Sequence, residues 1–281
     1  MFNPKEYRLL DFGDGRKLER FGDIVLDRVC PAAEGLSIGE PAIWAQAAAR
    51  YERTTGDRGF WRTLPIVPAA PWTIAHGSLR FELKLTDFGH LGVFPEQAVN
   101  WDWIADQVRR AAPQPVKVLN LFAYTGGSTF AAAAAGAEVV HVDAARNTVD
   151  WARRNAELSG LAAAPIRWIA EDAALFVRRE LKRGHRYQAV ILDPPSYGHG
   201  PKGEVWKLAD ALPELLSLCA ELTAADRRFV LLSCHSPGFG PGESGRLMAQ
   251  TFGENGIETS EMFVRTESGR QLPCGAAARF S

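Results

Sequence analysis

Five short segments of this 281-residue chain carry side chains able to hold or activate a ligand. Tyr124-Thr125-Gly126-Gly127-Ser128 follows one apolar run, and Asp143 closes the next. A glycine turn lets a ligand lie against backbone, and an acid at the end of the second strand can accept hydrogen bonds from both hydroxyls of a ribose. Glu171-Asp172 follows a third run, IRWIA, where an acid can accept an adenine amino group with Ile169 or Ala170 lining the ring. Asp172 also suits the N-cap of a helix over AALFVRRE, and both roles can hold together. Asp193-Pro194-Pro195-Ser196 ends VILDPP. Its prolines donate no backbone hydrogen bond and hold φ fixed, leaving the carbonyls and the carboxylate aimed outward as acceptors for a second molecule's amino group. Tyr197 beside them could stack on a flat base. Cys234, in LLSCHS, has two readings that both stay open. It is a thiolate adding to carbon-6 of a pyrimidine ahead of transfer to carbon-5, or a small hydrophobe in a buried strand.

A nucleotide-like cofactor on one side and a reacting group on the other is the layout of methyl transfer. The glycine turn lacks the dinucleotide pattern G-x-G-x-x-G, so it lacks a phosphate-cradling helix start, and a ligand without phosphates fits it better. The segment GHGPKG, with His199 and Lys202, reads as a mobile loop over the site, its lysine either meeting a phosphate or solvated. His76, His90, His141 and His235 show no metal-ligand spacing and read as structural. Cys30, Cys219, Cys234 and Cys274 form no paired spacing, so neither zinc nor a disulfide framework is expected.

The elements that must position these residues divide by texture. Residues 1–94 carry strand and turn signals and read as a small, mainly β domain, expected to serve substrate recognition. Asp14-Gly15 marks a hairpin. Leu79, Phe81, Leu83 and Leu85 alternate with polar residues as in a half-buried strand, and EPAIWAQAAARY after Pro41 reads as a short helix. Residues 95–115 form a connecting helix and linker. Pro95 opens the helix, Ala98, Trp101, Ile104, Ala105 and Val108 share one face, and Pro113-Gln114-Pro115 stops it. Over residues 116–281 strands alternate with helices expected at 128–135, 146–159, 172–183 and 206–223. That alternation predicts a mostly parallel sheet with helices on both faces and a closing antiparallel pair over ETSEMFVRT and PCGAAARF. The tryptophans (Trp101, Trp103, Trp151, Trp168, Trp206) read mostly as core.

Composition bounds the setting. Apolar residues at 46% and charged residues at 23% are ordinary for a soluble globular protein. No run approaches membrane-spanning length and the N-terminus carries no apolar leader, which reads as cytoplasmic. A net charge of −1 gives no global attraction to nucleic acid. Local basic clusters remain at Arg50/Arg53/Arg58/Arg62 and from Arg178-Arg179 to Arg186, the second reading as the solvated end of a helix.

NLFAYTGG, HVDAARNTVDWARRNAELSGL, EDAALFV and ILDPPS resemble the class I S-adenosylmethionine-dependent methyltransferases, and more narrowly the bacterial large-subunit ribosomal RNA methyltransferases that include cytosine carbon-5 enzymes. The resemblance covers roughly residues 88–281 and takes in HLGVFPEQAVNW. It implies an α/β fold with a Rossmann-like sheet, S-adenosyl-L-methionine as cofactor, and an RNA substrate as partner, with no membrane and no metal. It implies cofactor contacts at Phe94, Gln97, Asn120, Phe122, Tyr124, Thr125, Gly126, Asp143, Ala144, Glu171, Asp172 and Asp193, with Asp193, Pro194, Pro195 and Cys234 as the catalytic set. Three departures stand out. The PUA RNA-binding pattern of the family's best-known members is not found in residues 1–70, Ser-Cys-His replaces Ser-Cys-Ser, and Ser196 stands where a lysine is usual. Rival expectations are a protein or small-molecule acceptor, a nicotinamide-dependent oxidoreductase, and a non-catalytic RNA-binding module.

Overall fold

Residues 1–54, 58–64, 67, 71–199 and 205–281 are described by the computed structural model. By internal contact the chain forms two units: Met1–Ala98 with Phe263–Cys274, and Val99–Met262 with Gly275–Ser281.

In the first unit β1 (Tyr7–Gly13), β2 (Arg16–Phe21), β3 (Ile24–Val29), β4 (Ala49–Arg53) and β5 (Gly59–Thr63) lie side by side in that order. All neighbours are antiparallel except β3 and β4. Asp14 and Gly15 both take positive φ, 49° and 70°. That is the mirrored two-residue turn whose twist matches paired strands. The helix expected over EPAIWAQAAARY is replaced by a 3-10 turn, Pro41–Gln46, followed by β4. Ala49 and Tyr51 are buried while Arg50 is exposed, so a two-residue period overrides alanine's helical preference. A second hairpin, β6 (Trp72–His76) with β7 (Leu79–Leu83), buries Leu79, Phe81 and Leu83 as their alternation predicts.

In the second unit α1 (Ala98–Arg110) follows a 3-10 turn at Pro95–Gln97 and buries Trp101, Ile104 and Val108. Then come β8 (Lys117–Leu121), α2 (Gly127–Ala134), β9 (Glu138–Asp143), α3 (Arg146–Leu158), β10 (Ile166–Ala170), α4 (Ala173–Lys182) and β11 (Ala189–Leu192). A short hairpin, β12 (Tyr197–His199) with β13 (Val205–Lys207), leads into α5 (Leu208–Thr223). β14 (Phe229–Cys234), α6 (Pro241–Phe252), β15 (Ile257–Arg265) and β16 (Gln271–Phe280) complete the chain. The seven-stranded sheet runs β10-β9-β8-β11-β14-β16-β15. Its first five strands are parallel, and β16 pairs antiparallel to β14. This is a Rossmann-like sheet, and strand order reverses between β8 and β11, where such sheets open a ligand crevice.

Helix α6 escaped the sequence reading because its first turns, PGESG, carry loop-forming residues. Pro241 at its start and buried Leu247, Met248 and Phe252 make it a helix all the same. Gly245 inside it is a packing requirement, since a Cβ there would lie 2.7 Å from the Thr259 methyl. Among the described residues no helix is long and apolar enough to cross a membrane.

Candidate functional site

Beyond the carboxyl end of β8 the backbone is bent sharply. Phe122 and Tyr124 take φ of 54° and 49°, and Gly126, the N-cap of α2, takes 102°. Left-handed conformations at non-glycine residues cost roughly 1–3 kcal/mol each and persist where surrounding contacts enforce them. Here Asp143, ending β9, supplies one such contact. Its Oδ2 accepts the Tyr124 N–H at 2.9 Å and its Oδ1 the Ala145 N–H at 3.0 Å. Burial pushes its carboxyl up from the ordinary value, and these two N–H groups act in the opposite direction. Both glycines of the turn are demanded by the packing beneath them. A Cβ on Gly126 would sit 2.3 Å from the Phe130 ring, and one on Gly127 2.4 Å from Trp101.

A polar chain underlies this turn. Asn120 Nδ2 donates to Thr129 Oγ1 at 2.9 Å, and the same hydroxyl lies 2.9 Å from His141 Nδ1. All three side chains are buried. The imidazole packs 4.8 Å from Trp168, and burial together with Arg153 lowers its pKa to about 3. His141 is therefore neutral and structural, as its spacing suggested. Thr125 is buried too, its carbonyl accepting from Asn155 Nδ2 at 3.1 Å.

An open cleft of about 380 Å³ lies at the ends of β8, β9 and β10. Phe122, Val142, Asp143, Ala144, Glu171, Asp172, Ala173, Pro195, Gly198 and Trp206 line it. The Phe122 and Trp206 rings, 4.9 Å apart, give it an aromatic wall. Asp172 caps α4, its Oδ1 accepting the Leu175 N–H at 2.9 Å, and Glu171 is clamped by Arg179. Ala173 faces the cleft in place of the expected Ile169 or Ala170. Three carboxylates line the cleft, and none of its described lining residues is basic. Such a wall repels a pyrophosphate and accepts hydroxyls, amines and cationic centres. A nucleoside with a positively charged or neutral tail therefore fits it.

At the neighbouring strand ends the structure corrects the outward-facing Asp-Pro-Pro picture. Asp193 Oδ1 accepts Ser233 Oγ at 2.8 Å and lies 3.2 Å from His235 Nε2. The Pro195 carbonyl accepts the Trp206 indole N–H at 2.7 Å, and the Ser196 carbonyl the Leu208 N–H. Ser196 and Ser236 hydroxyls, 2.6 Å apart, tie the two strand-end loops together. Tyr197 is 53% exposed. The glycine-rich segment expected as a mobile loop is in part the β12–β13 hairpin, with Lys202 outside the described residues. Cys234 is 0% exposed and belongs to the apolar core. Burial, with Asp193 nearby, pushes its thiol up to about 12. That burial supports the core reading of the two.

Phe122, Asp143, Ala144, Glu171, Asp172 and Pro195 thus meet at the cleft, with Asn120, Tyr124, Thr125 and Gly126 forming the turn and its underside. Asp193, Pro194 and Cys234 sit at the β11 and β14 ends. Phe94 precedes and Gln97 ends the Pro95–Gln97 turn in the first unit, and the described cleft is lined from the second unit alone. Trp206 is core as expected, 7% exposed within the apolar cluster, and its second role, lining the cleft, is what sequence reasoning missed. Its signal lay in its position, shortly after Asp-Pro-Pro on the return arm of a hairpin. Among the described residues no cluster of metal-ligating side chains is found.

A family model described as S-adenosylmethionine-dependent methyltransferase matches residues 50–241. A crystal structure of a SAM-dependent methyltransferase from Agrobacterium tumefaciens is 36% identical with a TM-score of 0.92, covering 98% of this chain and 90% of that one. The ribosomal RNA large subunit methyltransferase I of Aeromonas hydrophila is 33% identical over 119 residues, 42% of this chain and 30% of that protein. The match thus spans less than a third of that curated relative. SMU.776, solved in complex with SAH, shares the fold at a TM-score of 0.76 and 16% identity, covering 99% of this chain and 76% of that one.

Proposed function

The chain belongs to the S-adenosylmethionine-dependent methyltransferase family, and we propose that it methylates a base of ribosomal RNA in the cytoplasm. S-adenosylmethionine supplies an electrophilic methyl group on a sulfonium when bound. Asp143 receives the ribose hydroxyls, Asp172 the adenine amino group, Phe122 and Ala173 flank the ring, and the Tyr124–Gly126 turn holds the methionine portion. Most of the acceleration then comes from holding the acceptor in line with the methyl group.

The observation that carries this reading is the acidic, aromatic-walled cleft at the sheet's switch point, which suits a cationic nucleoside and disfavours a dinucleotide. It counts against the nicotinamide rival. The RNA acceptor draws support from the curated relative's name and from the exposed Tyr197 beside Asp193-Pro194-Pro195. A buried thiol raised to about 12 speaks for an amino group or another acceptor in preference to the covalent carbon-5 route.

Mass spectrometry of ribosomal nucleosides from a strain lacking the protein tests the acceptor. A single lost methyl, restored by the purified enzyme and labelled cofactor, is the expected result. An unchanged nucleoside profile would overturn RNA as acceptor and leave a protein or small molecule. A thermal shift with a nicotinamide dinucleotide but none with S-adenosylmethionine would overturn the cofactor assignment.

A further inference from the structure

The first unit carries a surface that the methyl-transfer site does not use. Strand β5 and its flanks place Arg58, Phe60, Arg62 and Leu64 on one exposed face by their two-residue period, while Gly59 and Trp61 turn inward. Phe60 is 47% and Leu64 52% exposed, and β5 is the edge of its sheet. The Gly59 N–H donates to the Asp87 carbonyl at 2.7 Å, which brings Phe88, 49% exposed, alongside. Guanidinium groups lie over both rings: Arg62 5.8 Å from the Phe60 centroid, Arg58 5.6 Å from that of Phe88. Across the ladder Arg50 stands opposite Arg62, and Glu52 opposite Phe60. Glu52 sits between the two arginines, 3.0 Å from Arg50 and 3.9 Å from Arg62. Asp27 beneath is buried, bound by Arg16 and also 3.5 Å from Arg50.

Three exposed arginines of this face (50, 58 and 62) thus stand beside two acids on the described surface, Glu52 and Asp87. This local positive excess sits in a chain of net charge −1. Edge protection accounts for arginines on an outer strand, since charge there blocks pairing with another chain. It does not account for two half-exposed phenylalanines beneath those arginines. Apolar rings interleaved with cations are what unpaired nucleotides require: bases stack on the rings and phosphates meet the guanidiniums. Like charge across the patch disfavours its pairing with a second copy of itself.

We propose that this face of β5, with Phe88, is a stacking platform for unpaired bases of the RNA substrate. The inference rests on RNA being the acceptor. Phe60 and Phe88 carry the bases, and Arg50, Arg58 and Arg62 neutralise the backbone.

The test is anisotropy titration of the full chain with fluorescein-labelled, fragmented ribosomal RNA at several salt concentrations. Melting temperature and SAH affinity serve as checks that each variant is folded. The Phe60→Ala/Phe88→Ala double variant is expected to bind RNA about tenfold or more weakly with an unchanged salt slope. Arg62→Gln is expected to weaken binding and flatten that slope. Wild-type protein that binds SAH but no RNA overturns the RNA reading itself. RNA binding that is equal in wild type and variants overturns only the platform. So does loss of a co-purifying acidic protein from the phenylalanine variant with RNA binding intact.

Discussion

Asp143 accepts the backbone N–H of Tyr124 at 2.9 Å, so the acid ending β9 holds the left-handed residue of the turn after β8. One carboxylate thereby shapes the turn and faces the cleft. Asp143→Asn keeps the volume and one acceptor oxygen but removes the charge. Charge-assisted hydrogen bonds contribute roughly 1.5–3 kcal/mol, so SAH affinity measured calorimetrically is expected to fall about tenfold or more. Asp143→Ala, which also frees the turn, should lower it further and reduce the melting temperature. An Asp143→Ala variant that binds SAH as tightly as wild type would remove this residue from the cofactor site.

Gly126→Ala combines two penalties. Its φ of 102° disfavours any side chain, and the new Cβ would approach the Phe130 ring to 2.3 Å. Strain at such a backbone position costs on the order of 1–3 kcal/mol before the clash is counted. Urea unfolding should show at least that loss, and SAH binding should weaken because this residue is the N-cap of α2. Unchanged stability would mean that the turn relaxes freely.

Cys234→Ala should leave methyl transfer within a few-fold of wild type, because a thiol buried in the core and raised to about 12 is neither accessible nor ionised at neutral pH. The cost should fall on stability, about 1 kcal/mol for the cavity left behind. Loss of turnover by several orders of magnitude with an intact fold would restore the covalent route.

What could be read ahead of the structure was local. The strand, glycine turn, helix and acid from β8 to Asp143 follow one another in the chain, and each carries its own periodic signal. Asp172 was legible as a cap because capping chemistry acts within one helical turn. The engagement of Asp193 was not, because Ser233 and His235 come from the next parallel strand and meet it only through the β11–β14 register. Trp206 likewise reaches Pro195 through a hairpin that a glycine-rich segment did not announce. The lost helix at EPAIWAQAAARY shows the same limit, as sheet pairing decided what propensity suggested otherwise.

His141 makes stability depend on pH. Its folded pKa of about 3 lies below the ordinary value of 6.5, through burial first and Arg153 second. The unfolded chain thus takes up a proton that the native state refuses between those values. This contribution to stability is full above 6.5 and declines as pH falls. The slope approaches about 1.4 kcal/mol per unit, or roughly 2 kcal/mol lost by pH 5. Urea titrations at pH 7.5 and 5 should show that loss, and His141→Gln should remove the difference. A wild-type protein equally stable at both values would place the imidazole in a charged or solvated state instead.

In the first unit the β1 bulge between Leu9 and Asp11 places Asp11 at the centre of a buried polar knot. Its carboxylate accepts the N–H groups of Phe12, Gly39 and Glu40, the Trp44 indole, and Arg270. Arg270 also donates to the carbonyls of Phe12 and Ser37 and lies 4.2 Å over the Phe12 ring. Burial alone would push the Asp11 carboxyl up, yet the hydrogen bonds from Glu40, Trp44, Phe12 and Gly39 outweigh it and hold the group below its ordinary value. With the folded value depressed, its contribution is present above the unfolded carboxylate range and is lost as pH drops through the folded value. Asp11→Asn leaves Arg270 without its counter-charge and replaces one acceptor oxygen by a donor facing other donors. Losing a buried charged partner costs on the order of 3–5 kcal/mol, measurable as a lower urea midpoint at neutral pH, with the gap to wild type narrowing in acid below about pH 4. Arg270→Lys should cost less, because a lysine keeps the charge but loses the planar fork that reaches two carbonyls. An Asp11→Asn variant as stable as wild type would show that the Gly39–Glu40 turn closes without this anchor.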